Sequence, residues 1–321
     1  MELTSFAKGA KVKILIGKGG VGKTTVTCAL ARALAEAGQR VLIVELEGRP
    51  EVPRAFGLPG DLDYEGQLLF TGSPGGTVSA RRVTPDEALL EYLADRSLAR
   101  LSKRLLTTGV LDVVAGAIPG IRDVLVLGKI KQIANESDVD VVLVDAPATG
   151  HAISLLTSPA GVADVARSGP VREQAEQVVA MLSDPARCEV LLVTIPEELP
   201  ITESVEAAFR VEDRAGVALG PVLCNLVETE SPLLDSQARA AAAEDGIDLS
   251  EDLADALDSA AVFQRQRERG ASEQLERLRR ELPLPVVELP RLGTPSIRPA
   301  ELAVLAAALT LGLSRIAERS A

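Results

Sequence analysis

The strongest chemical signal in the chain is Gly17-Lys18-Gly19-Gly20-Val21-Gly22-Lys23-Thr24-Thr25. Glycines at this density let backbone N–H groups close around phosphate oxygens without Cβ clashes. A helix that starts where the loop ends adds the positive end of its dipole. Lys23 is then placed to reach β- and γ-phosphates, and the Thr24 hydroxyl to ligate Mg²⁺. A glycine turn that binds nothing would explain the glycines but not Lys23-Thr24 in the position where phosphate chemistry needs them. Lys18 sits inside the loop, where a side chain tends to point away from its own nucleotide. Spacing alone leaves it open as a solvated lysine or a contact to a facing subunit.

Three more groups stand where a phosphate loop would use them. Val141-Val142-Leu143-Val144 is a buried strand ending in Asp145, the arrangement in which an aspartate beside the loop holds a metal-bound water. Val41-Leu42-Ile43-Val44 runs into Glu45-Leu46-Glu47, so carboxylates fall at the strand end where open α/β sheets place ligands. Glu47 would orient a water near the γ-phosphate or hold the metal's water shell; an acidic loop on an acidic protein is the competing reading. Asn225, closing the strand that begins at Pro221, can offer a donor and an acceptor to an adenine edge, or be an ordinary turn residue. His151, the single histidine, follows Asp145 closely enough to belong to a loop that moves with nucleotide state.

The elements that must position these groups read as alternating strands and helices. Val12-Lys13-Ile14-Leu15-Ile16 is a buried strand before the loop, and Val26, Leu30 and Leu34 recur at helical spacing up to Gly38. Residues 57–76 read as loop, broken by Leu68-Leu69-Phe70, and a strand follows at 77–83. Thr84-Pro85-Asp86-Glu87 is a helix start with Pro85 at the first helical position and a capping box between Thr84 and Glu87. Helical patterns continue through 98–106, 110–117 and 121–133, so residues 84–135 are expected to form a helical subdomain inserted into the sheet domain. Further strands are expected at 191–195, 221–225 and 286–290, with Thr202 and Glu203 in the first turn of the helix after 200. Residues 228–283 are helical in pattern, and a last helix from about Pro299 to Arg319 packs Leu302, Leu305 and Leu309 on the sheet. The fold class expected is α/β: a mostly parallel sheet flanked by helices, as one domain over residues 1–321.

Bulk properties narrow the function. The net charge is −12, which argues against a nucleic-acid surface. With 2% aromatics the core must be aliphatic. Cys28, Cys188 and Cys224 lie far apart and indicate neither zinc nor disulfides. No signal-peptide pattern opens the chain, and residues 302–313 are too short an apolar stretch to span a bilayer, so a cytoplasmic protein is expected.

The loop from Lys18 to Thr25 resembles the deviant phosphate loop of the signature-lysine ATPases. The wider chain resembles the arsenite-pump-driving and tail-anchored-protein-targeting ATPases, and within them the actinobacterial branch of anion-transporting ATPases. The matching residues are 17–25, 84–92, Ile118-Pro119-Gly120-Ile121, Asp145-Ala146-Pro147-Ala148-Thr149-Gly150-His151 with the following residues to Pro159, Asn225, and Leu289-Pro290. The resemblance implies that ATP or ADP is bound by the loop amides of Gly19, Gly20, Val21 and Gly22 with Lys23, Thr24 and Thr25. It implies Mg²⁺ at Thr24 and Asp145, and adenine held by Asn225 and the Pro290 region. It also implies a dimer in which Lys18 contacts the other subunit's phosphates, either a homodimer or a heterodimer with a related subunit. Residues 47–56 correspond to the family's first switch.

Departures from the family pattern matter too. The switch usually opens Asp-Pro-Ala-His and here reads Glu47-Gly48-Arg49-Pro50. An extra methylene moves a carboxylate by about one bond length, and misplacement near 1 Å can cost ~100-fold in rate, which implies slow hydrolysis or hydrolysis left to a partner. The zinc-bridging cysteine pair of the targeting dimers is absent, and two methionines cannot line a Met-rich groove for a transmembrane helix. A membrane-protein or small-anion cargo remains the expectation without a species attached. A nucleotide-binding regulatory subunit is the alternative. Septum-positioning, plasmid-partitioning and nitrogenase-iron-protein roles lack the basic helix, basic patch or paired cysteines that they need.

Overall fold

The computed structural model describes residues 3–46, 50–95, 120–228, 237–294 and 296–320. Glu47, the patterns at 98–106 and 110–117, and Ile118-Pro119 lie outside the described residues.

The central strands are apolar on both sides, and that is what buries them. β1 (Val12–Gly17) is buried at every position. β2 (Arg40–Glu45) and β5 (Val141–Ala148) pair with their neighbours in parallel. Strands covered on both faces are what a parallel sheet demands, because its crossover helices lie on both sides. Among the described residues nine strands form the sheet, in the order β3-β4-β2-β5-β1-β6-β8-β9, with β7 (Ala218–Leu219) pairing β6. The others are β3 (Gln67–Thr71), β4 (Thr77–Arg82), β6 (Cys188–Thr194), β8 (Val222–Val227) and β9 (Val286–Pro290). Leu68-Leu69-Phe70, which reads as an interruption in a loop, is the edge strand β3, antiparallel to β4. Its neighbour Gly66 hides the alternation that would mark it.

The two faces of the sheet carry separate cores. On one, Leu15, Ile43 and Leu143 pack with Leu30 and Leu34 of α2 (Lys23–Glu36) and Leu309 of the C-terminal helix. On the other, Ile14, Val44 and Val144 meet Leu127, Leu156 and Met181. Those last three belong to α5 (Ile121–Glu136), α6 (Thr149–Val165) and α7 (Pro170–Leu182). α2 stops at Ala37, with Gly38 at φ 85°, the left-handed stop expected. α3 (Glu51–Ala55) precedes β3, and α4 (Pro85–Asp95) starts with the predicted capping box. There the Glu87 amide donates to Thr84 Oγ1 at 3.3 Å, and Thr84 Oγ1 donates to Glu87 Oε2 at 2.6 Å.

Two expectations shift. α8 (Glu198–Arg210) starts before Pro200, so Thr202 and Glu203 fall in its second turn, and Pro200 takes a first-turn position where a missing N–H costs nothing. β5 continues to Ala148 and α6 begins at Thr149, so His151 is exposed on a helix rather than set in a loop. After α8, α9 (Ala238–Glu244) and the 31-residue α10 (Glu251–Glu281) supply the helices predicted for 228–283.

α11 (Pro299–Ser320) is longer than its apolar core stretch. Residues 299–316 are long and apolar enough to cross a membrane by length and composition alone. Here Leu302, Leu305, Ala306, Leu309 and Leu313 are buried, and the helix packs along α2 and β9. Leu309→Ala removes a fully buried side chain, so it should cost ~2–5 kcal/mol. Denaturant unfolding of the full chain checks this, and an unchanged midpoint would contradict the docking of α11.

Candidate functional site

The phosphate loop is fixed by contacts that admit no side chain. A Cβ on Gly17 would lie 2.1 Å from the Val193 carbonyl oxygen of β6. Gly20 and Gly22 hold φ 89° and 85°, and a Cβ on Gly22 would meet Asn225 Nδ2 at 2.5 Å. Gly19 and Gly20 face open space, with nothing within 4 Å of a built Cβ. The loop is thus pinned at both ends and open in the middle, where phosphate oxygens would sit. Lys23 opens α2 and its Nζ donates to the Gly17 carbonyl at 3.1 Å, arching back over the loop.

Asp145 comes to the same place from β5. Thr24 Oγ1 donates to Asp145 Oδ2 at 2.6 Å, and Thr27 Oγ1 lies 3.4 Å from Oδ1. A hydroxyl and a carboxylate in direct contact are hard oxygen donors, which suits Mg²⁺ better than a softer ion. No group of three or more His, Cys, Asp or Glu able to hold a metal occurs among the described residues. Mg²⁺ fits that poverty of ligands, because it keeps several waters and takes substrate phosphates as ligands. Cys28 is buried beside these acids, and its thiol is pushed well up by burial first, then by Asp145 and Glu45.

A cleft of about 670 Å³ opens from the loop. Gly22, Thr24 and Thr25 form one wall, and Asn225, Leu226, Pro290 and Leu292 another. Of the residues expected to bind nucleotide, the structure brings Gly22, Thr24, Thr25, Asn225 and Pro290 to one cavity. Asn225 is 3% exposed and its Nδ2 donates to the Val21 carbonyl at 3.0 Å. Its amide braces the phosphate loop, a role that an exposed turn residue would not have. Leu226 takes φ 56°, and the β8–β9 register shifts between Cys224 and Val227. A bulky residue in the left-handed region is strained, and such strain collects at binding sites.

Lys18 points elsewhere. Its ammonium pairs with the Glu203 carboxylate of α8, both side chains about one-third exposed. Residue types in sequence give no hint of this pair, since 185 positions separate them. Sequence reasoning also missed Arg54, Arg298 and Thr294, which line the cleft. Arg54 lies on α3 inside the switch segment and was in principle traceable; the loop after Pro290 carries no motif.

Comparison with known proteins follows this geometry. A family model described as "Anion-transporting ATPase" matches residues 10–167. ATPase BagA of Mycobacterium tuberculosis is 36% identical over 252 residues, covering 76% of this chain and 72% of that protein. An arsenical pump-driving ATPase of Escherichia coli is 27% identical over 237 residues, covering 70% of this chain but 37% of the pump protein. A putative arsenical pump-driving ATPase of Halobacterium salinarum is 27% identical over 233 residues, 67% of this chain and 35% of that protein.

The loop geometry separates two glycine substitutions. An alanine forced into the left-handed region costs roughly 1–2 kcal/mol, and at Gly22 it also strikes Asn225. Gly22→Ala should lower Tm and weaken ADP binding about tenfold or more, whereas Gly19→Ala should leave Tm unchanged. Thermal melts and nucleotide titration of the two variants check this; equal Tm losses would contradict the described loop.

Proposed function

The chain belongs to the anion-transporting ATPase family, and on that premise we propose that it binds Mg·ATP in this cleft and hydrolyses it as a dimer. The observation that carries the reading is the convergence of Gly22, Thr24, Thr25, Asn225 and Pro290 on one cavity, with Asp145 bonded to the Thr24 hydroxyl and Lys23 to the Gly17 carbonyl beside it. The loop amides and Lys23 hold the phosphates, and Asn225 and the Pro290 region hold the base. Thr24 and Asp145 hold the metal, which when bound neutralises charge developing on the transferred phosphoryl group. Glu47 orients the attacking water. Its longer side chain sets a low rate, and slow turnover suits a switch whose output is a change of shape.

Dimerisation supplies Lys18. In the single chain it pairs with Glu203, so crossing to a partner's phosphates requires that ion pair to open. A partly exposed pair of this kind contributes at most about 1 kcal/mol, which one phosphate contact can replace. α6 starts four residues after Asp145, and Ser158 on α6 donates to Asp123 on α5 at 2.6 Å. Changes at the phosphates are thereby linked to α5, the last helix of residues 84–135, which we assign to a helical insertion serving a membrane-protein or small-anion cargo. A cytoplasmic location and a partner of the same or a related chain complete the proposal.

A second reading is a weakly hydrolysing regulatory subunit of a heterodimer, favoured by Glu47 in place of the family's aspartate. Steady-state ATP hydrolysis by the purified chain with Mg²⁺ decides between them. Turnover that Lys18→Ala reduces at least about tenfold, with nucleotide affinity unchanged, is the expected result. Tight binding without turnover would contradict the hydrolysing dimer and favour the regulatory subunit.

A further inference from the structure

Three neighbouring strands of the sheet carry a charged residue on the same face and at the same level, near their C-terminal ends. On β4, Val78 and Ala80 point into the α2-side core, and the next residue in that alternation is Arg82. On β2 the series is Val41, Ile43, Glu45; on β5 it is Val141, Leu143, Asp145. The register aligns them: Glu45 lies opposite Arg82 on one side and opposite Asp145 on the other. Residues directly paired across neighbouring strands share a face, and the strands lie about 4.7–4.9 Å apart. The row Arg82–Glu45–Asp145 therefore runs straight toward the Thr24 hydroxyl, which Asp145 accepts at 2.6 Å.

Glu45 is 2% exposed and Asp145 7%. Burying a carboxylate beside a second carboxylate is costly unless charge or hydrogen bonds compensate it. An aliphatic residue would continue the alternation at 45 at no such cost. Arg82 Nε stands 4.0 Å from Glu45 Oε2, on the side away from Asp145. The row itself thus carries two carboxylates and one guanidinium, with its negative end at Thr24. Cys28 lies close enough to both carboxylates for each to push its thiol up, after burial has done so first. Register alone sets Glu45 and Asp145 side by side on the α2 face of the sheet.

We propose that Glu45 is a second carboxylate of the metal–nucleotide centre, accepting hydrogen bonds from water held there, with Arg82 behind it as a positioning residue. The inference rests on the site assigned above, and adds a residue on the strand itself, two positions before Glu47. Glu45 sits on a hydrogen-bonded strand, so its carboxylate is held by the sheet. A residue in this role serves the bound divalent ion whether or not the chain turns ATP over.

The test is ADP affinity of the full chain, measured by calorimetry with Mg²⁺ and again with EDTA, for the parent, Glu45→Gln, Glu45→Asp and Arg82→Gln. Residues that orient groups around a metal typically contribute 10–100-fold in affinity. Glu45→Gln should lose about tenfold or more of the Mg²⁺ enhancement while its affinity in EDTA stays at the parent's value. Arg82→Gln should lose less in the same direction. Should Glu45→Gln fail to fold, Glu45→Asp keeps the charge and withdraws it by one methylene, and a reduced Mg²⁺ enhancement is again expected. A Mg²⁺ enhancement within about twofold of the parent's in folded Glu45 variants overturns the inference and leaves an ion pair that serves the fold. A parent that binds no nucleotide at all overturns the function proposed above, and this inference with it.

Discussion

Gly17 and Gly22 stand where two backbones and an amide leave no volume for a methyl group. One lies against the Val193 carbonyl of β6 and the other against the Asn225 amide within β8. Between them the chain must reverse from strand to helix while its N–H groups stay exposed, which only glycine-rich backbone at positive φ permits. The position of everything else at the site follows. Lys23 is the first residue of α2 because the loop ends at Gly22. Thr24 and Thr27 then face Asp145 because β5 is hydrogen-bonded directly to β1. The sheet order carries the chemistry, since it sets β5 on one side of the loop strand and β6, then β8, on the other.

The same logic explains why charge can be buried here. Apart from the buried Lys13 of β1, which pairs with Glu189 of β6, the central parallel strands are largely aliphatic, and the polar side chains of the site gather at their C-terminal ends. Asp145 is accommodated by two threonine hydroxyls from α2. Glu45 has Arg82 in register beside it. Asn225 spends its amide on the Val21 carbonyl. Each polar side chain of the site is thus tied to a neighbour on a different element, so the site is assembled by the sheet rather than by any one loop. Lys18 is the exception: its partner Glu203 lies on a helix at the rim, and both remain partly in water.

Much of this was legible in the sequence, for identifiable reasons. The phosphate loop, the strand before Asp145 and the capping box at Thr84 are local signals, set by residue type within a few positions. β3 was missed because only three residues carry its pattern and its edge position leaves Leu68 exposed. The start of α8 was misplaced because Pro200 looks like a boundary and is a first-turn residue. His151 suggested a moving loop, and the local continuity of β5 into α6 makes it an exposed helical residue. The Lys18–Glu203 pair and the Arg82–Glu45–Asp145 row depend on sheet order and register across long separations, which no local pattern encodes. Asn225 lines the cleft, and its brace to the Val21 carbonyl depends on the fold rather than on any local pattern.

The most direct test of the account is a crystal structure of the full chain grown with ADP and Mn²⁺, read by anomalous scattering from the metal. The account predicts a single strong peak beside Thr24 Oγ1 and Asp145, with the phosphates along the amides of residues 19–25 and the base against Asn225 and Pro290. A nucleotide bound elsewhere, or a metal peak remote from Thr24 and Asp145, would contradict it.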